Sequence, residues 1–302
     1  MTTRKHLDGN AISIMLLLCL CWGLQQVAVK MATPVISASM QLGLRSGIAA
    51  MLVLALVWWK KIPFSLTDQH VLPGVLAGLL FALEFLCVSY GLNFTSASHM
   101  SVFLYTAPIF TVIGLHTFIP SERLQARQWL GVASAFAGIA IAFLGAMQSS
   151  ADEIRQLLIG DGLGILAALF WAATTLTIRF SSLAEAEPTT TLFYQLAGAA
   201  VILTSVVLWR DESWTTWNQV AWVSMFFQSV IVAFASYLAW FWLMRRYLVS
   251  RLSVFSFLTP LFGVAAGVIL MHDTISPRFA IGAVMVLGGI VLVNSKKTNK
   301  IT

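Results

Sequence analysis

Glu84 and Arg45 are charges set in stretches that otherwise carry none. Glu84 interrupts the apolar segment Leu79–Val88, and Arg45 lies inside the apolar run Ile36–Trp59. A charged side chain at the centre of a membrane span costs about 2.5–3.5 kcal/mol on insertion scales, so a functional role is the default reading. Glu84 precedes Leu92 by eight residues and Arg45 follows Ile36 by nine. At about 1.5 Å per residue, both then lie about 12–14 Å from the same membrane face and can meet at one level. Three chemistries follow. The pair can be a static ion pair that locks helices together, it can hold the amino or carboxylate end of a substrate, or Glu84 can carry a coupling proton.

Polar and aromatic side chains recur at spacings that suit a solute wall. Trp22 and Gln25 are three apart and share a helix face, and Trp171 and Thr174 repeat that spacing. Facing one another, they could stack on or hydrogen-bond a small solute, although plain packing explains them as well. Pro108 and Pro260 each fall in mid-run, where proline removes a backbone hydrogen bond and kinks the helix. Matching interrupted helices mark binding sites in carriers. Beside them stand Tyr105, Thr106, Phe257 and Thr259, with Ser101 and Ser253 earlier. The alternative is a fixed kink that only shapes packing. Gln228, Ser236, Tyr237 and Trp240 form a polar-aromatic stripe, and Tyr90 lies on another run. Such stripes also serve packing.

Other chemistries find little support. Cys19 and Cys21 point to different faces of a helix, Cys87 stands alone, and no disulfide framework or metal pair is readable. The five histidines show no zinc-ligand spacing, and those within spans have no evident partner. No G-x-S-x-G elbow stands out, which argues against an intramembrane hydrolase, and no P-loop appears, so ATP is not the direct energy source. Nothing basic is interleaved with aromatics on a polar segment, so nucleic acid is not an expected partner. No metal or cofactor is expected.

The elements that must position these residues follow from composition. Of 302 residues, 59% are apolar and only 10% charged, and the mean hydropathy is +0.85. Soluble domains average about 25% charged residues. The balance excludes an ordinary soluble enzyme and a disordered chain, and predicts an all-α membrane protein. Ten apolar runs are long enough or nearly so: 11–31, 36–59, 71–92, 97–119, 129–147, 162–182, 190–209, 220–244, 252–271 and 279–293. The longest connection is Gln148–Asp161. The first run follows Arg4 and Lys5 as a signal peptide would, but it has full span length and no clear cleavage site, so it is read as retained. With the N-terminus in the cytoplasm, thirteen Lys and Arg residues fall on that side, against Lys30, Arg155, Arg210 and Arg278 opposite. Both termini are therefore predicted to be cytoplasmic.

An internal repeat organises the runs. Ser101-Val-Phe-Leu-Tyr-Thr-Ala-Pro108 matches Ser253-Val-Phe-Ser-Phe-Leu-Thr-Pro260 at an offset of 152. Gly131 and Gly138 match Gly282 and Gly289 at 151, Trp22 and Lys30 match Trp171 and Arg179 at 149, and Arg45 with Ala49-Ala50 matches Gln195 with Ala199-Ala200 at 150. A near-constant offset across four pairs of runs indicates a duplicated five-span unit. Five is odd, so the second copy enters the membrane inverted, the arrangement of secondary transporters with a site where the halves meet. The expected organisation is two five-helix repeats, 1–147 and 161–293, joined by a loop at 148–160 and followed by a tail, 294–302. The partners of Arg45 and Glu84 are Gln195 and Ser236, so the second half supplies no matching ion pair. Gly131/Ala135 and Gly138/Ala142 suit close helix approach and are read as scaffold.

At this point the chain resembles the drug/metabolite transporter superfamily, in its ten-helix EamA-type branch. The resemblance rests on Trp22-Gly23, Arg45, Thr95-Ser-Ala-Ser98 leading to Ala107-Pro108, Glu122-Arg123 and Gln128-Trp-Leu-Gly131, then Trp171, Thr259-Pro260 and the weaker Asp273-Thr274. Ser121 stands where the family usually has Gly, and His272-Asp273 where it often has Gly-Glu. The resemblance implies two inverted five-helix bundles around a central cavity, with the fifth and tenth helices standing away from it. It implies a multi-pass carrier of the bacterial inner membrane, often an exporter of amino acids or related small metabolites, working by alternating access. A proton gradient sensed by Glu84 is the natural coupling. A multidrug or facilitative permease is the alternative, and a scaffold without flux the remaining one. One chain holds both halves, so a monomer is expected. The partners are a small-molecule substrate and the lipid bilayer.

Overall fold

Long helices let this sequence satisfy its backbone in lipid, because their hydrogen bonds close within the segment. The computed structural model describes residues 8–64, 68–118, 124–146, 151–211, 217–247 and 258–293. Its helices are α1 (Gly9–Ala32), α2 (Ala38–Lys60), α3 (Asp68–Gly91), α4 (Ala97–Leu104), α5 (Ala107–Phe118), α6 (Ala126–Ala146), α7 (Ala151–Arg179), α8 (Pro188–Trp209), α9 (Gln219–Phe226), α10 (Tyr237–Arg246), α11 (Leu258–Met271) and α12 (Pro277–Val293). A π-helical segment, Phe227–Ser236, joins α9 to α10. No strand occurs among the described residues. Seven helices or continuous helix pairs are long and apolar enough to cross a bilayer, and Leu258–Met271 and Pro277–Leu292 are shorter apolar helices.

Local chemistry sets the ends. Asp8 accepts from the Ala11 amide at 2.8 Å, Ser37 from Met40 at 3.2 Å, Ser96 from His99 at 3.1 Å and Asn218 from Ala221 at 2.9 Å. Each side chain satisfies a donor that the first helical turn leaves open. At the end of α2 the chain reverses through Lys61, whose φ is 49°. The fourth run is broken where Pro108 lacks an amide: α4 ends at Leu104 and α5 starts at Ala107, with the Thr106 amide turned back to Phe103 O at 3.1 Å.

Two expectations need correction. The connection expected at 148–160 is largely helical, since α7 begins at Ala151. Asp152 and Glu153 occupy its first turn, where negative charge suits the helix dipole. The eighth run is not a plain α-helix but carries the π segment, for which periodicity gives no signal. The Pro260 kink cannot be placed, because Pro260 lies in the first described turn of α11 and the preceding 248–257 lie outside the described residues.

Packing sorts the helix ends onto two faces. Asp8, before α1, accepts from the Tyr247 hydroxyl after α10 at 2.8 Å, and Ser182, beyond α7, donates to Gln69 O near the start of α3. These ends form the Asp8 face. Opposite, Lys30 near the end of α1 donates to Thr95 O before α4, and Arg210 after α8 donates to the Tyr90 hydroxyl near the end of α3. These form the Thr95 face. Small residues bring backbones together: a methyl on Gly138 would lie 2.6 Å from Gly282 O, and Gly289 meets Gly131 O, so α6 and α12 pack antiparallel. Large apolar side chains such as Leu17, Met51, Leu72, Val201 and Ile269 lie exposed on the outside, while Arg45, Glu84, Gln41 and Gln228 are buried within. That inside-out distribution belongs to a helical bundle solvated by lipid.

Candidate functional site

A cavity of about 420 Å³ opens among α1, α3, α4–α5, α7, α8 and α10. That volume falls within the usual range of small-molecule sites. Its wall is aromatic: Trp22 packs edge-on to Trp240 (5.8 Å between centroids) and lies 6.5 Å from Tyr237, while Tyr105 packs edge-on to Trp171 at 5.3 Å. The Trp22 indole donates to Ser236 Oγ at 2.8 Å, which fixes the ring. Polar groups punctuate this wall at Gln25, Gln26, Glu84, Thr174, Thr175 and Gln195.

Glu84 is the charged member. Phe81, three residues earlier, shares its helix face, Phe85 lines the same cavity, and Glu84 is only 4% exposed. Its Oε2 has no hydrogen-bond partner among the described residues, nor does Gln26 Oε1. Arg45 is 1% exposed and stands behind Phe85, its guanidinium 4.3 Å from the ring centroid. Nε and Nη1 of Arg45 are likewise without partners, and no Arg45–Glu84 ion pair forms among the described residues. The guanidinium lies over the Phe85 ring rather than within 4 Å of the Glu84 carboxylate.

Of the residues singled out in the sequence, Trp22, Gln25, Glu84, Tyr105, Pro108, Trp171, Thr174 and Tyr237 line this cavity. Five others are placed elsewhere. Arg45 lies behind the wall. Tyr90 sits at the Thr95 face under the Arg210 guanidinium, 5.0 Å from its ring. Thr106 is turned inward and donates to Phe103 O at 2.6 Å, which serves the helix break. Gln228 is buried and donates to Gln41 Oε1 and Ser224 Oγ, each at 2.8 Å. Pro260 is buried in α11. Phe257 lies outside the described residues. Trp240 of the polar-aromatic stripe also lines it, and Gln26, Phe81, Phe85, Leu104, Thr175 and Gln195 complete the wall. Gln26 was legible in principle, since a second amide in mid-span is as costly as the first. Gln195 was noted only as the counterpart of Arg45.

His99, expected to lack a partner, has one. Its Nδ1 lies 2.9 Å from Asp161 Oδ2, and its ring stacks on Phe279 at 3.7 Å. The pair is remote in sequence, and no spacing rule reaches it. Cys19 and Cys87 are buried, and none of the three cysteines forms a disulfide.

Comparison with known proteins places this geometry. A family model described as "EamA-like transporter family" matches residues 9–144 and again 158–295. "Uncharacterized transporter YoaV" of Bacillus subtilis (strain 168) is 22% identical over 274 residues, 90% of this chain and 92% of the relative. "Probable amino-acid metabolite efflux pump" of Salmonella typhimurium is 24% identical over 287 residues, 92% of each. A solved structure described as "Crystal structure of protein" superposes with a TM-score of 0.65 at 21% identity, covering 94% of this chain and 95% of that one, and so shares its fold.

Proposed function

The chain belongs to the EamA-like transporter family, and on that premise we propose that it is a secondary transporter exporting small amine-bearing metabolites such as amino acids. The observation that carries this reading is the unpartnered Glu84 oxygen in an aromatic cavity. A buried carboxylate without a partner is costly, and a substrate ammonium would satisfy it with a charge-assisted hydrogen bond. Indole and phenol rings around it attract a cation through their faces. The printed name of the Salmonella relative, an amino-acid metabolite efflux pump, supports the same solute class.

Glu84 also carries the coupling proton in this reading, binding substrate and proton in turn. Arg45 stands ready behind Phe85 for a carboxylate, reached when that ring turns aside.

The carrier works as ten spans in two inverted halves, both termini on the cytoplasmic side, in a bacterial inner membrane. The family match in two tandem segments supports the duplication. Packing supports the inversion. The fifth span (α6) meets the tenth (α12), the second (α2) meets the seventh (α8), and the fourth (α4) meets the ninth (α11). The first span packs on the ninth as the sixth (α7) packs on the fourth. A pseudo-two-fold axis in the membrane plane produces this pairing. The chain acts as a monomer.

Counterflow in proteoliposomes loaded with a panel of amino acids, their esters and the matching amines tests the proposal. Exchange of solutes bearing an ammonium is expected, with accumulation that follows an imposed pH gradient. Exchange of neutral solutes alone would refute it. The aromatic wall favours a second reading, a permease for hydrophobic cationic drugs, which the same panel separates if such drugs exchange and amino acids do not.

A further inference from the structure

Among the described residues, the cavity wall is least buried toward the Asp8 face. Its exposed wall residue, Thr175, lies near the end of α7, on the Asp8 face, whereas Gln25, Gln26 and Glu84, further toward the Thr95 face, are buried. Beyond them the bundle is closed by polar ties. Thr95 Oγ1 donates to Asp161 Oδ1 at 2.5 Å, and the His99 ring bonds the other oxygen. Asp273 Oδ2 accepts from the Ser98 amide at 3.0 Å and its hydroxyl at 2.7 Å. Lys30 holds Thr95 O from α1. The first turn of α4 is thus gripped by two carboxylates, both contributed by residues that follow 150.

We propose that this cluster, Thr95, Ser98 and His99 of the first half on Asp161 and Asp273 of the second, is the gate that shuts the Thr95 face. The proposal rests on the alternating-access reading above. Three features make it a gate rather than a weld. The ties are side-chain hydrogen bonds across the two halves, which break and re-form more readily than packed apolar surface. α4 is one short helix, buried throughout, and moves as a rod in this proposal. That rod ends at Leu104 and Tyr105, which line the cavity, so a solute pressing on Tyr105 pulls on the ties at the other end. His99 anchors the closed position by its stack on Phe279 of α12.

The test uses the full chain in sealed vesicles of known orientation, with Cys19, Cys21 and Cys87 replaced by Ala and Gln26→Cys as reporter. A membrane-impermeant maleimide is applied from either face. The parent is expected to react from the Asp8 face and slowly from the other. Asp161→Asn and Asp273→Asn, which weaken different ties, should each raise reaction from the Thr95 face about tenfold, the difference between a hydrogen bond to a charged acceptor and one to a neutral acceptor. Reaction from the Asp8 face verifies the fold of each variant. An unchanged Thr95-face rate in a variant that passes this check overturns the gate. Loss of Asp8-face reaction in both variants would mark the cluster as structural and overturn it too. Labelling needs no substrate. A chain that opens when the ties are weakened, yet exchanges no solute, would refute the transport reading and leave the gate standing.

Discussion

Glu84→Gln keeps the size of the side chain and removes its charge, at a position where the structure leaves one oxygen without a partner. A hydrogen bond to a charged group is worth about 1.5–3 kcal/mol and a neutral one about 0.5–1.5 kcal/mol. The amide should therefore bind a substrate ammonium about 1–1.5 kcal/mol less well, five- to about tenfold in half-saturation. At 4% exposure little water screens the contact, which favours the larger value. Coupling responds differently: an amide takes up no proton in this range, so accumulation should stop following the pH gradient while passive exchange continues. Thermal stability should hold or rise, because a buried charge without a partner is lost. Counterflow and gradient-driven uptake in one proteoliposome preparation measure both. Parental half-saturation together with parental gradient dependence would show that Glu84 serves neither role.

Trp22→Phe keeps an aromatic ring but loses part of the indole and its 2.8 Å bond to Ser236, so detergent-solubilised protein should be destabilised by at least about 1 kcal/mol, read by thermal melting, while Ser236→Ala, which loses that bond and its own to Val232 O, should also be destabilised. Gly138→Leu drives a side chain into the Gly282 backbone and should cost about 1–3 kcal/mol or prevent folding, whereas a parental melting curve would contradict the α6–α12 contact. Tyr90→Phe removes the hydroxyl that Arg210 bonds at the Thr95 face and should leave the half-saturation constant within twofold of the parent, roughly the surface-substitution range. A larger rise would return Tyr90 to the substrate path.

The all-helical membrane character was legible because lipid simplifies the code: long apolar runs, and a charge where none should be. Trp22 and Trp171, matched at an offset of 149, both reach the cavity. Pro108 announced the break that puts Tyr105 in the wall. What stayed hidden depends on rotation about helix axes and on distant partners. Depth alone set Arg45 level with Glu84, but only packing reveals that the guanidinium lies over Phe85, which lines the cavity while Arg45 does not. Gln228 reads as a wall residue by its stripe, yet it spends its amide on Gln41, a contact no local rule foresees. Asp161 reads as a loop acid until α7 is seen to begin before it.

The π segment Phe227–Ser236 has a mechanical corollary. Its bonds reach one residue further than those of an α-helix, so each of its turns is wider and holds more chain. Were it to rewind to ordinary pitch, α10 would screw about its own axis relative to α9. Tyr237 and Trp240 would then sweep along the solute pocket while Ser224 stayed fastened to Ala28. The eighth span thus holds a stretch of wider winding that its counterpart α3, α-helical over Asp68–Gly91 with Pro73 inside it, lacks.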